Sequence, residues 1–139
     1  MLASGSGDKT VRLWDMNTGQ STLTLIAEDG ITSVAFSPNA KYIAAGSLDM
    51  SVYVWDPHQG NLLERLGGPN GHKDSVYSVN WSPNGKNLVS GSLDKTIKMW
   101  ELSNLGMVPS PVPKDSGYVS TFKGHSVGFI SSLPLKPVS

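Results

Sequence analysis

His72, Ser90 and Asp94 are the three residue types that a serine hydrolase uses as base, nucleophile and orienting carboxylate. Acyl transfer, however, requires the serine on an exposed, strained turn with oxyanion donors beside it. Ser90 lies in Asn87-Leu-Val-Ser-Gly91, a run that reads as a buried strand, and its aspartate recurs in a stretch lacking both the histidine and the serine. No catalytic residue is therefore assigned. Gly5-Ser-Gly-Asp-Lys-Thr10 has glycines suited to cradling a phosphate, but Asp8 stands directly before Lys9, where a glycine is needed and where a negative charge repels the ligand. His58 and His125 have no paired ligand spacing, so neither a metal nor a cofactor is expected. Ser110-Pro111 reads either as a turn or as a phosphorylation site. Asn80-Trp81-Ser82 matches the glycosylation pattern, yet no secretory signal accompanies it.

These residues sit in a repeat. Gly46-Ser-Leu-Asp49 returns as Gly91-Ser-Leu-Asp94 and is foreshadowed by Gly5-Ser-Gly-Asp8, and each copy is followed six residues later by tryptophan and an acid: Trp14-Asp15, Trp55-Asp56 and Trp100-Glu101. The tryptophans stand 41 and 45 residues apart, within the period of about 40–45 residues that marks one propeller blade. Residues 31–38 overlie 76–83 as first strands, 42–46 and 87–91 as second strands, and 52–55 and 97–100 as β-branched, apolar third strands. Outer strands are expected at 21–26, 62–66 and 118–122. Pro38 and Pro83 suit the first corner of a turn, and Gly85 can take a positive φ; Ala40 holds the same place at a cost of about 1 kcal/mol.

The expected fold is all-β, a partial β-propeller of about three four-stranded antiparallel blades. A partial first blade occupies residues 1–26, a second 27–66 and a third 67–125, with a proline-rich loop at 103–117 and a divergent tail at 126–139. Because a ring needs roughly four to eight blades, it is not expected to close, and the exposed flanks of such an arc favour association.

Eleven basic and eleven acidic residues cancel, so no basic surface advertises nucleic acid or an anionic membrane. No apolar run is long enough to span a bilayer, and the absence of cysteine fits a reducing, intracellular compartment. Charge balance points to protein partners, with no small-molecule substrate.

The three registered copies resemble the WD-repeat family up to His125. The resemblance implies a hydrogen-bonded tetrad of histidine, serine, aspartate and tryptophan, complete in the third repeat as His72, Ser90, Asp94 and Trp100. Partial sets are implied at Ser4, Asp8 and Trp14 and at Asp49 and Trp55, where Ala27 and Ala45 replace the histidine and serine. Asp49 is then expected to have fewer partners than Asp94. The family's binding face maps to Thr32, Ser75 and Tyr77, with Gly7, Leu48 and Leu93 at the turn tips. Two leucines beside a tyrosine can form an apolar anchor for a partner, or can pack onto neighbouring blades.

Residues 66–79, 88–102 and 44–49 are further similar to the propeller of the fungal Tup-type, Groucho-like transcriptional corepressors. That resemblance implies a non-enzymatic, nuclear scaffold docking on DNA-bound repressors alongside corepressor subunits. The alternative is another WD-repeat scaffold, such as a ubiquitin-ligase substrate receptor.

Overall fold

The computed structural model describes residues 1–102, 105 and 117–124. The expected loop at 103–117, apart from Leu105 and Gly117, lies outside the described residues, as do Ser110, His125 and the tail at 126–139.

Eleven strands form three antiparallel sheets, and no helix occurs among the described residues. The first sheet contains β1 (Leu2–Gly5), β2 (Thr10–Trp14) and β3 (Ser21–Ile26) in that order. The second contains β4 (Ile31–Phe36), β5 (Ile43–Ser47), β6 (Val52–Trp55) and β7 (Leu62–Leu66). The third contains β8 (Val76–Trp81), β9 (Asn87–Ser92), β10 (Thr96–Glu101) and β11 (Tyr118–Lys123). This is a partial propeller of three meandering blades, unclosed. Strand bounds depart from the sequence expectation by only a residue or two: β5 begins at Ile43, and β10 extends to Glu101 because Glu101 still pairs with Asn87.

Each blade is closed by its neighbour. Leu66, Val52 and Val54 of the second blade pack on Leu88, Trp100, Val76 and Val79 of the third, while Val11, Leu13 and Leu25 of the first pack on Ile43, Ala45, Tyr53 and Trp55. Successive strand residues point to opposite faces, so one third strand serves both interfaces: Val52 and Val54 face forward, Tyr53 and Trp55 backward. The innermost strands are also bonded across the interface. The Thr32 hydroxyl donates to the Val76 carbonyl (2.5 Å), the Val79 N–H donates to Ser33 Oγ (3.3 Å), and the Trp81 indole N–H donates to the Ala35 carbonyl (3.0 Å).

Glycine permits this approach. A Cβ at Gly5 would lie 2.3 Å from Ile31 Cγ2, and one at Gly46 would lie 2.9 Å from Val76 Cγ1, so the first strand of each following blade rests on a bare backbone. The repeated Gly-Ser-X-Asp is thus a packing device as well as a turn. The turns themselves hold Lys9, Met50 and Lys95 at φ of 75°, 74° and 72°, directly after each aspartate. Ala40 adopts φ 59° where Gly85 adopts 72° in the third blade.

Two stability measurements follow. Gly46→Ala should destabilise by about 1–3 kcal/mol through overpacking against Val76, whereas Gly7→Ala, with nothing within 4 Å of its Cβ position, should be far milder; equal losses in urea unfolding would contradict the interface. Ala40→Gly should stabilise by roughly 0.5–1 kcal/mol by relieving the left-handed alanine, read as an upward shift in melting temperature.

Candidate functional site

In the third blade the segment before β8, together with strands β9 and β10 and the turn between them, brings four side chains into one chain of hydrogen bonds. The Trp100 indole N–H donates to Ser90 Oγ (3.0 Å), Ser90 Oγ lies 2.8 Å from His72 Nε2, and His72 Nδ1 lies 2.8 Å from Asp94 Oδ2. With a neutral imidazole every donor has an acceptor: Ser90 donates to Nε2, and Nδ1–H donates to the carboxylate. A second proton on His72 would make Nε2 a donor, so that Ser90 Oγ meets two incoming N–H groups and its own hydrogen loses the Nε2 acceptor.

Burial accordingly pushes the His72 pKa below its ordinary value, against the raising influence of the Asp94 carboxylate. For Asp94, burial acts upward but is outweighed by hydrogen bonds from Thr96, the Lys73 N–H and His72, which hold its pKa at about 2. Ser90, His72 and Asp94 therefore have the connectivity of a catalytic triad. Ser90 is nevertheless 0% exposed, its oxygen already accepts the indole N–H, and Leu66, Val52 and Val54 belong to the cluster that covers Trp100. No substrate carbonyl can reach that hydroxyl in the folded blade.

Against the expectation that Asp49 has fewer partners than Asp94, each carboxylate meets three residues: Ser51, Tyr53 and Arg65 for Asp49, and His72, Lys73 and Thr96 for Asp94. Tyr53, on β6, donates its hydroxyl to Asp49 Oδ2 (2.5 Å) and accepts the Glu28 N–H (3.2 Å). Arg65, opposite Tyr53 on β7, reaches Asp49 Oδ2 with Nη2 (3.1 Å), Ser51 Oγ with Nε (3.2 Å) and Glu28 Oε2 with Nη1 (3.2 Å). Its guanidinium lies 5.0 Å from the Tyr53 ring centre, and that ring stacks on Trp55 at 5.3 Å. Where the third blade joins the Lys73 N–H directly to Asp94, the second inserts a phenol between the Glu28 N–H and Asp49. Removing the histidine and serine as Ala27 and Ala45 left room that Tyr53 fills. The sequence holds the tyrosine and the arginine, but only the strand register sets them opposite each other and beside Asp49.

In the first blade the Trp14 indole N–H donates to Ser4 Oγ (2.9 Å) at an exposed position, and Asp8 accepts from the N–H and hydroxyl of Thr10. The same bond from the residue two places on appears at Ser51 N–H to Asp49 (3.0 Å) and Thr96 N–H to Asp94 (2.9 Å). This hydroxyl residue after each aspartate is a further part of the motif that sequence reasoning missed.

Above these networks lies the rim formed by the tight turns. Leu48 and Leu93 are 39% and 37% exposed. Their N–H groups donate to the carbonyls of Gly30 (2.9 Å) and Ser75 (3.0 Å), and Leu48 Cδ1 rests over Gly30. Tyr77 is half-buried and is the extra residue of a bulge, since Val76 pairs with Ser92 and Ser78 with Gly91. Thr32 is the corresponding bulged residue of β4. Unlike the exposed contact the sequence suggested, its hydroxyl is turned inward to bridge the Gly46 and Val76 carbonyls. Ser75 reaches back to the Leu48 carbonyl at 3.4 Å.

The family described as "WD domain, G-beta repeat" matches residues 1–15, 19–56 and 63–101. The two longer matches run from an outer strand through the three inner strands of the next sheet, so each of these repeats straddles two blades, while the first covers β1 and β2. Among curated proteins, "Protein tipD" of Dictyostelium discoideum is 42% identical over 69 residues, covering 49% of this chain and 11% of that protein. A "Coronin-like protein" of Saccharomyces cerevisiae is 35% identical over 74 residues, 53% of this chain and 11% of its own length. "Nuclear distribution protein nudF" of Aspergillus terreus is 36% identical over 73 residues, 51% of this chain and 16% of its own. The chain thus spans between a tenth and a sixth of these relatives. None of the three bears a corepressor's name, so the narrower resemblance gains no support from them.

Asp49→Ala, which strands a tyrosine hydroxyl and a buried guanidinium, should cost about 2–4 kcal/mol, at least as much as the roughly 1–3 kcal/mol of Asp94→Ala. Urea unfolding that finds Asp49→Ala clearly milder would restore the sequence expectation. Because the folded-state pKa of His72 is depressed, its contribution to stability is complete above the unfolded value of about 6.5 and is lost as pH falls below it. His72→Gln should abolish that part of the pH dependence in thermal melts, while the part due to Asp94, lost as pH falls from about 4 towards 2, remains.

Proposed function

This chain belongs to the WD domain, G-beta repeat family, and on that premise we propose a non-catalytic module whose turn-tip rim holds a protein partner. WD repeats mark a protein-interaction scaffold; the location of the contact on this chain is the proposal. The observation that carries it is the bulge at Tyr77. An extra residue in β8 breaks the strand's alternation, and Tyr77 is half-buried and outside the core cluster that takes in Val76 and Val79.

Leu48 and Leu93 at the adjoining turn tips supply apolar area, and Ser75 lies between them, bonded to both turns. A tyrosine amid partly exposed aliphatics is the composition that dominates binding energy in interfaces. Both leucines also lean on the blades, which holds them in place for a partner at little entropic cost. The closed environment of Ser90 supports the reading that the module performs no hydrolysis.

A corepressor role with nuclear residence rests on the motifs in residues 66–79 and 88–102 alone. It would be supported by co-purification of a DNA-bound repressor with the full-length protein. No helix among the described residues is long and apolar enough to cross a membrane.

In full-length protein carrying this segment, Tyr77→Ala should weaken its protein partner by about 2 kcal/mol or more, with little change in melting temperature. Quantitative co-purification that is unaffected by Tyr77→Ala, Leu48→Asp and Leu93→Asp together would remove this face.

A further inference from the structure

Lys98 is only 8% exposed, a rare setting for lysine, and among the described residues no carboxylate pairs with it. Its ammonium donates to Thr121 Oγ1 (2.8 Å) and lies 5.3 Å from the Tyr118 ring centre. It lines a cleft of about 320 Å³ together with Lys73, Lys123, Thr96, Thr121 and Asn70. Three lysines thus line one cavity in a chain of zero net charge, the Lys73 ammonium donating to the Pro69 carbonyl at 3.0 Å. The one carboxylate in the lining, Asp94, is already occupied by Thr96, His72 and the Lys73 N–H.

The second blade shows what this place holds when it is filled. By repeat register Lys98 stands where Tyr53 does and Lys73 where Glu28 does, and Thr121, opposite Lys98, replaces Arg65, opposite Tyr53. In the second blade the Glu28 carboxylate, largely exposed, bonds the buried Arg65 guanidinium at 3.2 Å, so an anion of the chain itself caps a cation at the surface. In the third, the residue that would supply that anion is a second cation, the arginine has shrunk to a threonine, and a cleft opens between them.

We infer that this cleft between Lys73, Lys98 and Lys123 binds a carboxylate side chain from an acidic peptide segment of a protein partner. The inference deepens the interaction reading above and names the partner's chemistry at a second position, whose lining includes none of Tyr77, Leu48 and Leu93. Lys98 is held by Thr121 and Tyr118 with donors to spare, as a preorganised cation should be. Thr96, Thr121 and Asn70 border the space with further polar groups.

The test uses the 139-residue chain and a fluorescent tetraglutamate peptide with blocked ends, with tetraglutamine as the neutral probe, followed by anisotropy at fixed ionic strength. Saturable binding of tetraglutamate alone is expected. Lys73→Glu, which places a carboxylate of the chain itself where the second blade has Glu28, should weaken it at least tenfold while a cooperative thermal melt shows that the variant is folded. Lys98→Met should weaken it at least tenfold and the exposed Lys123→Ser at least threefold, whereas Lys86→Glu, the same charge change elsewhere on the surface, should alter it less than twofold. Absence of saturable binding, equal binding of tetraglutamine, or an equal loss in Lys86→Glu would overturn the inference. Tyr77→Ala should leave peptide binding intact, so failure of the cleft and failure of the rim are separately visible.

Discussion

Each blade places a carboxylate at the edge of an apolar interface, and the arrangement of the chain follows from how that charge is satisfied. Asp8, Asp49 and Asp94 first accept the N–H of the residue two positions on, at 3.1, 3.0 and 2.9 Å. That bond fixes the turn and carries Lys9, Met50 and Lys95 into the left-handed region, a conformation that costs non-glycine residues energy and that the bonded turn sustains. The remaining acceptor capacity of Asp94 is turned towards His72 and the Lys73 N–H of the segment arriving from the previous blade, whereas that of Asp49 is taken by Tyr53 and Arg65 of its own blade. Asp8 is exposed, but Asp49 and Asp94 are largely buried; a buried carboxylate left short of donors would be far more costly than the turn strain, so the aspartate is the element that the rest of the second and third blades accommodates.

Two chemically different solutions meet this demand within one chain. The third blade uses a neutral imidazole relayed through a serine to an indole, a compact network in which every hydrogen has one acceptor. The second uses a phenol and a guanidinium, with Glu28 balancing the added charge. The exchange is volumetric as well as electrostatic. Two alanines replace the histidine and serine, and a tyrosine replaces a lysine, so the stacked Tyr53 and Trp55 rings fill what the smaller residues vacate. In the third blade Lys73 and Lys98, at the register positions of Glu28 and Tyr53, line a cleft instead.

Interblade packing converts these local networks into a stack. Gly5 and Gly46 allow the following blade's first strand to approach to a distance that no Cβ would tolerate. The apolar faces then seal the polar groups from water: Trp100 and Ser90 lie under Leu66 and Val54, whereas Trp14 and Ser4 make the same bond at an exposed position on the first sheet. The same pair of residues therefore has a different dielectric surrounding according to whether a preceding blade covers it, and the interaction strengthens where water is excluded.

The period of the tryptophans, the strand alternation and the Gly-Ser-X-Asp echo were enough to read an unclosed all-β propeller of three blades, because these patterns are local and recur in register. His72, Ser90, Asp94 and Trp100 were legible as a group for the same reason, and Ala40 could be recognised as a strained substitute for Gly85. Tyr53 and Arg65 were not legible as partners of Asp49, since they reach it across a sheet whose cross-strand register and side-chain directions are fixed only when the blade pairs. Thr32 likewise looked like a surface contact until the next blade supplied the Val76 carbonyl that its hydroxyl meets. Sequence alone determined the repeating backbone and the residues that terminate its turns. Tertiary structure alone decided which polar groups share a buried space, because that depends on volumes and distances between strands that the one-dimensional pattern does not contain.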